Sequence, residues 1–66
     1  MLGKYLIFVG GQAHNFCANL ADAEAEATDL VYQGRAVTIK SQETPPTPNR
    51  TWHHDADVGA WVEQFD

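Results

Sequence analysis

The chain has 66 residues, with four Lys and Arg against nine Asp and Glu, so its formal charge is −5. This length allows one small domain, and no run of about 18 apolar residues is present that could span a membrane. The four cations are scattered, which argues against direct nucleic-acid binding, because contact with a phosphate backbone needs clustered Lys and Arg. The totals therefore predict a single domain over residues 1–66 that does not enter a membrane.

The single cysteine, Cys17, cannot form an internal disulfide. Secreted domains of this size are usually held together by disulfides. The sequence therefore predicts a reducing, cytoplasmic setting, with Cys17 acting as a small buried hydrophobic residue.

Bulky apolar residues dominate positions 4–9 on both faces of a potential strand. Such a strand is typical of the interior of a sheet. Gly10-Gly11 predicts a turn, after which residues 13–17 could return as a short second strand.

Residues 20–33 have the clearest pattern in the chain, that of an amphipathic helix. Asn19 is the expected N-cap and Gly34 the expected C-terminal cap. The predicted inner face consists of apolar residues at helical spacing, namely Leu20, Ala23, Ala27, Leu30 and Val31.

A further strand is predicted over residues 35–40, and three prolines make residues 41–50 a surface loop. Residues 51–66 fit two structures. Apolar residues at i, i+3, i+4 and i+7 from Val58 fit a helix, whereas the Trp, Val and Thr content and the turn at 57–59 favour a hairpin.

These elements predict an α+β domain with one helix packed on a three- to five-stranded mixed sheet, in the order β-(β)-α-β-β-β. The alternative is β-α-β with a C-terminal helix. If the first and third segments are parallel strands, their connection through the helix is right-handed.

A hairpin with an even-membered turn places four residues on one face, namely Trp52, His54, Trp61 and Phe65. One helix covers only one face of a sheet, so an aromatic-rich face is expected to stay open. Such a face typically binds a protein partner or a second copy of the chain. The sequence thus predicts a non-enzymatic interaction module that needs no cofactor and that can form a homodimer.

His53 and Asp55 point to the same face of a strand and could ligate a metal, with His14 or Cys17 as further donors. No zinc-finger spacing is present, so metal binding is a weaker alternative. A third alternative is an acidic inhibitor of a nucleic-acid-binding protein, with Asp22, Glu26 and Asp29 spaced along the helix.

Three segments together resemble small uncharacterised proteins encoded by bacteria and by phages or prophages. They are the Lys4–Val9 strand, the Asn-Leu-Ala-Asp-Ala-Glu-Ala helix start at 19–25, and a Trp-x-x-Asp…Gly-x-Trp-Val hairpin from Trp52 to Val62. The resemblance spans most of the chain and assigns no functional residues. It implies an accessory, partner-binding role.

Overall fold

A computed structural model describes residues 4–64, which form five strands and one helix. In chain order the elements are β1 (Tyr5–Val9), β2 (Gln12–Cys17), α1 (Leu20–Tyr32), β3 (Val37–Ser41), β4 (Thr51–Asp55) and β5 (Ala60–Gln64). The predicted α+β class with one helix on a sheet is confirmed. Among the described residues, no helix is long and apolar enough to cross a membrane.

All five strands belong to one antiparallel sheet in the order β2-β1-β3-β4-β5. The prediction of a mixed sheet is therefore wrong. The reason lies in the β1–β2 hairpin, which returns the chain to the beginning of β1, where Cys17 pairs with Tyr5. The helix then leads to the other end of β1, and β3 starts there, opposite Val9.

Helix α1 begins where a side chain caps its backbone and ends where the backbone of the following residues does so. Asn19 is the N-cap, and its Oδ1 accepts the Asp22 N–H at 2.9 Å. At the other end Gly34 has a φ of +83°, and the Gly34 and Arg35 N–H groups donate to the carbonyls of Val31 and Leu30. This is a Schellman motif, which requires a residue in the left-handed region and so favours glycine.

The core lies between α1 and one face of the sheet. Ile7, Ile39, Ala23 and Ala27 are fully buried, and Trp52 at 4% and Val37 at 9% exposure complete the cluster. The two alanines allow the helix to approach the sheet closely and leave room for the indole of Trp52. The remaining members of the predicted helix stripe, Leu20, Leu30 and Val31, pack around this centre.

The C-terminal segment is a hairpin, and the alternative of a C-terminal helix is wrong. The carboxylate of Asp55 accepts the N–H groups of Asp57 and Val58, and Gly59 takes a φ of +73°. These bonds stabilise the turn, while the Trp and Val side chains of β5 suit a strand.

The loop of residues 42–50, close to the predicted 41–50, is held at its ends by hydrogen bonds. The buried Ser41 accepts the Arg50 N–H through Oγ at 2.7 Å, and Asn49 Oδ1 accepts the Glu43 N–H at 2.8 Å.

Candidate interaction face

The β4–β5 hairpin pairs Trp52 with Glu63 and His54 with Trp61, so the predicted shared face of these aromatic residues exists. Residue 65, the fourth member of the predicted cluster, lies outside the described residues. The rings of His54 and Trp61 meet edge to face, with centroids 5.4 Å apart. The sequence therefore predicted the strand phase of this hairpin correctly.

This aromatic face is on the helix side of the sheet, however, and is not the open one. Trp52 belongs to the core cluster, and the indole N–H of Trp61 donates to Thr28 Oγ1 of α1 at 2.9 Å. Trp52 shares the core cluster with Ala23 and Ala27, and Trp61 packs against that cluster, so both indoles lie on the side of the sheet that carries α1. The expectation that Trp52 and Trp61 form an uncovered surface is corrected accordingly.

Polar groups close the rim of this helix-side face. The guanidinium of Arg50 lies 4.9 Å from the centroid of the Trp52 ring and forms an ion pair with Glu63. The hydrogen bond to Glu63 raises the pKa of Arg50 above its usual value. Arg50 thus covers the exposed edge of Trp52 with its planar group, an arrangement that combines cation–π attraction with burial.

The open face of the sheet is the opposite one, and an apolar patch lies at its β2 edge. Leu6 and Phe16 are register partners, and Phe8 lies two residues further along β1 on the same face. Leu6 is 8% exposed, whereas Phe16 is 40% exposed. The Phe16 ring is thus a large apolar group partly exposed to water beside Leu6 and Phe8, on the face that α1 does not cover.

The centre of the open face is polar and carries a positive charge. A shallow depression of about 430 Å³ is lined by Thr38, Lys40, Thr51, Asn49 and Gln64. The ammonium of Lys40 lies 5.2 Å from the centroid of the Phe8 ring, so it links the polar centre to the apolar patch. Val62, 37% exposed, lies on the same face in the outer strand β5.

The sequence predicted apolar residues on both faces of β1 but did not identify Phe16 as a neighbour of Leu6 and Phe8 on one of these faces. The sequence did contain a signal for the buried face of β4, because the polar residues Thr51 and His53 alternate with Trp52. The more apolar phase of a half-buried strand faces the core, so the tryptophans should have been assigned to the helix side.

The structure does not bring the candidate metal ligands together. His14 and Cys17 lie in β2, whereas His53 and Asp55 lie in β4, three strand spacings away, or about 14 Å. Over residues 4–64, no group of three or more His, Cys, Asp or Glu side chains could hold a metal ion.

Cys17 lies beside the helix at the β2 edge. Its Sγ is 3.8 Å from Glu26 Oε2, a carboxylate that also accepts two hydrogen bonds from Asn15 Nδ2. Burial first, and then the negative charges of Glu26 and Asp22, raise the pKa of the Cys17 thiol. The protonated form is therefore favoured, which is the opposite of what a nucleophilic thiol needs.

The acidic side chains of α1 lie on the other side of the molecule from Lys40. Of the three carboxylates in the predicted acidic surface, Glu26 is engaged by Asn15, and Asp22 accepts a hydrogen bond from Asn19 Nδ2. The inhibitor hypothesis stays a prediction.

No family model, no curated protein and no solved structure matches this chain. The resemblance to small bacterial and phage proteins also stays a prediction.

Proposed function

We propose that this protein is a small non-enzymatic interaction module that binds a protein partner on the open face of its sheet. The observation that carries the proposal is the exposed ring of Phe16 beside Leu6 and Phe8, on a face that α1 does not cover. Burial of this patch against a partner would contribute about 25 cal/mol per Å² of apolar surface removed from water.

The charges of the open face indicate the partner's chemistry. Lys40 forms no ion pair with a carboxylate among residues 4–64, in contrast to Lys4 and Arg50, which pair with Glu43 and Glu63. A partner that places an apolar side chain on Phe16 and an acidic one near Lys40 would match both groups. Such matched charge favours specificity and fast association more than affinity.

The size of the face supports a transient complex. Five strands about 4.8 Å apart and five residues long give a face of roughly 400 Å². Stable complexes usually bury about 800 Å² on each partner, so a weaker, exchangeable contact is the expectation. The same limit applies to a homodimer formed face to face.

Photo-crosslinking tests the proposal. A benzoylphenylalanine replaces Phe16 in one variant and Tyr32, which is 78% exposed on α1, in a matched control. In cells that produce the protein naturally, we expect a discrete adduct from position 16 and none from position 32. Lys40→Glu should reduce the yield of that adduct severalfold.

The mass of the adduct identifies the occupant. An adduct of twice the chain mass means that a second copy binds the face, and any other discrete mass means a different protein. Equal labelling from positions 16 and 32, or an adduct that Lys40→Glu leaves unchanged, would show that the open face is not the binding surface.

A further inference from the structure

The ladder between β3 and β4 stops before the two strands end. Its last pair is Thr38 with His53, although β3 begins one residue earlier at Val37 and β4 continues to Asp55. On either side the ladders run on, to Val9–Val37 and to Asp55–Ala60. Strands β3 and β4 therefore separate at this end of the sheet.

A cleft of about 320 Å³ occupies the separation. Its apolar part comes from both sides of the gap and from the helix end, through Val31, Ala36, Val37 and Ala56. This volume is near the lower limit for small-molecule sites, which are mostly apolar with a few polar groups that fix orientation.

The polar residues that line the cleft are Arg35, Thr38, His53 and His54, and no lining residue is acidic. The charged lining of the cleft is therefore basic, although the whole chain has a formal charge of −5. Within residues 4–64, the guanidinium of Arg35 makes no ion pair with a carboxylate. The ring of His54 is held against Trp61, so its position in the cleft is fixed by packing.

Two negative groups near the cleft, the Asp55 carboxylate and the C-terminal end of α1, already accept hydrogen bonds. The Asp55 carboxylate accepts two N–H groups of the β4–β5 turn, Asp57 N and Val58 N. The carbonyls of Leu30 and Val31 at the end of α1 accept the N–H groups of Arg35 and Gly34. The negative end of the helix is therefore partly satisfied beside the cleft.

From this arrangement we propose that the cleft binds a small organic carboxylate with a compact aryl or branched alkyl group. Arg35 binds the carboxylate through its planar donors, and the imidazole N–H of His54, on the helix side of β4, adds a hydrogen bond. The apolar part of the ligand packs on Val37 and its apolar neighbours. The site is at the end of the sheet and does not depend on a partner binding to Phe16.

Phenylacetate and its neutral isostere phenylacetamide are suitable probes, each titrated into the isotope-labelled full chain and followed by NMR. A ligand of this size is expected to bind with a Kd on the order of millimolar. The shifts should concentrate at Arg35, Val37, His54 and Ala56. Phenylacetamide should bind at least about fivefold more weakly, because it lacks the charge that pairs with Arg35.

Two variants with the same change in net charge provide the control. Arg35→Gln should raise the Kd for phenylacetate about tenfold, whereas Lys40→Gln, on the open face, should leave it unchanged within about twofold. Retained backbone spectra would show that each variant is folded.

A third variant tests the apolar part of the site. Ala56→Leu places a larger side chain at the rim of the cleft and should weaken both probes equally. Equal affinity for the acid and the amide, equal effects of Arg35→Gln and Lys40→Gln, or no shift at these residues up to about 20 mM probe would each overturn the proposal.

Discussion

Trp52 and Phe16 illustrate how two aromatic residues of one small sheet serve different purposes. Trp52 is 4% exposed and contacts the core, with Tyr5 edge to face at a centroid distance of 5.7 Å. Phe16 is 40% exposed on the other side of the sheet. The Trp52 side chain therefore stabilises the fold, whereas the Phe16 side chain is free to take part in binding.

This difference predicts unequal costs on truncation. Trp52→Ala should lower the free energy of unfolding by about 3–5 kcal/mol, since it opens a cavity beneath α1. Phe16→Ala should cost about 1 kcal/mol or less, because the ring is largely in water already. Urea unfolding followed by circular dichroism measures both.

Trp52→Phe provides a milder core variant if the alanine variant does not fold. Trp52→Phe should retain the fold and lower the free energy of unfolding by an amount between those of Trp52→Ala and Phe16→Ala. If Phe16→Ala were as costly as Trp52→Ala, the assignment of the two faces would be wrong.

At the scale of the element, α1 carries a charge distribution that only partly suits its dipole. Asp22 lies in the first turn, where a negative charge is favourable, but the last turn contains no basic residue and Asp29 lies close to it. Capping bonds stabilise both ends, and those of Gly34 and Arg35 offset the unfavourable charge at the C-terminal end. The helix is thus held more by its caps and its buried face than by its charges.

Two charge reversals test this view. Asp29→Lys should raise the free energy of unfolding by about 0.5–1 kcal/mol, and Asp22→Lys should lower it by a similar amount. Both variants change the net charge by +2, so a general charge effect would move them in the same direction. The midpoints of urea unfolding at low ionic strength distinguish the two cases, and salt should reduce the difference.

At the scale of the whole molecule, the sheet has a stable centre and two weaker edges. Strands β1 and β3 have neighbours on both sides, and their central residues Ile7 and Ile39 are fully buried beneath α1. Strand β2 is an edge strand whose first five residues are exposed, and its pairing with β1 contains a register shift between Ile7 and Phe8.

Amide hydrogen exchange should be slowest in the central strands β1 and β3 and faster in the edge strand β2. We expect the amides of Ile7 and Ile39 to exchange at least about 100-fold more slowly than those of Gln12 and Ala13, because edge strands open locally at lower free energy. Exchange followed by NMR at neutral pH measures the protection. Protection in β2 that equals or exceeds that in β3 would contradict the view that the sheet opens from this edge.

The sequence by itself determined the elements that depend on neighbouring residues. The Asn19 cap, the apolar stripe of α1 and the left-handed Gly34 are local, so their pattern predicted a helix close to that observed. The turn at 57–59 favoured the observed hairpin, with a C-terminal helix as the alternative. The shared strand phase of Trp52, His54 and Trp61 also follows from the length of one turn.

Only the tertiary structure decided which face α1 covers and how the strands are ordered. Both depend on the pairing of Ile39 with Trp52 and on the contact of Ala23 and Ala27 with the sheet, which join residues far apart in the chain. The separation of β3 from β4, and so the cleft beside Arg35, arises from the same distant pairing. Local propensity carries no information about such contacts, because their free energy depends on the side chains that meet only after the chain has folded.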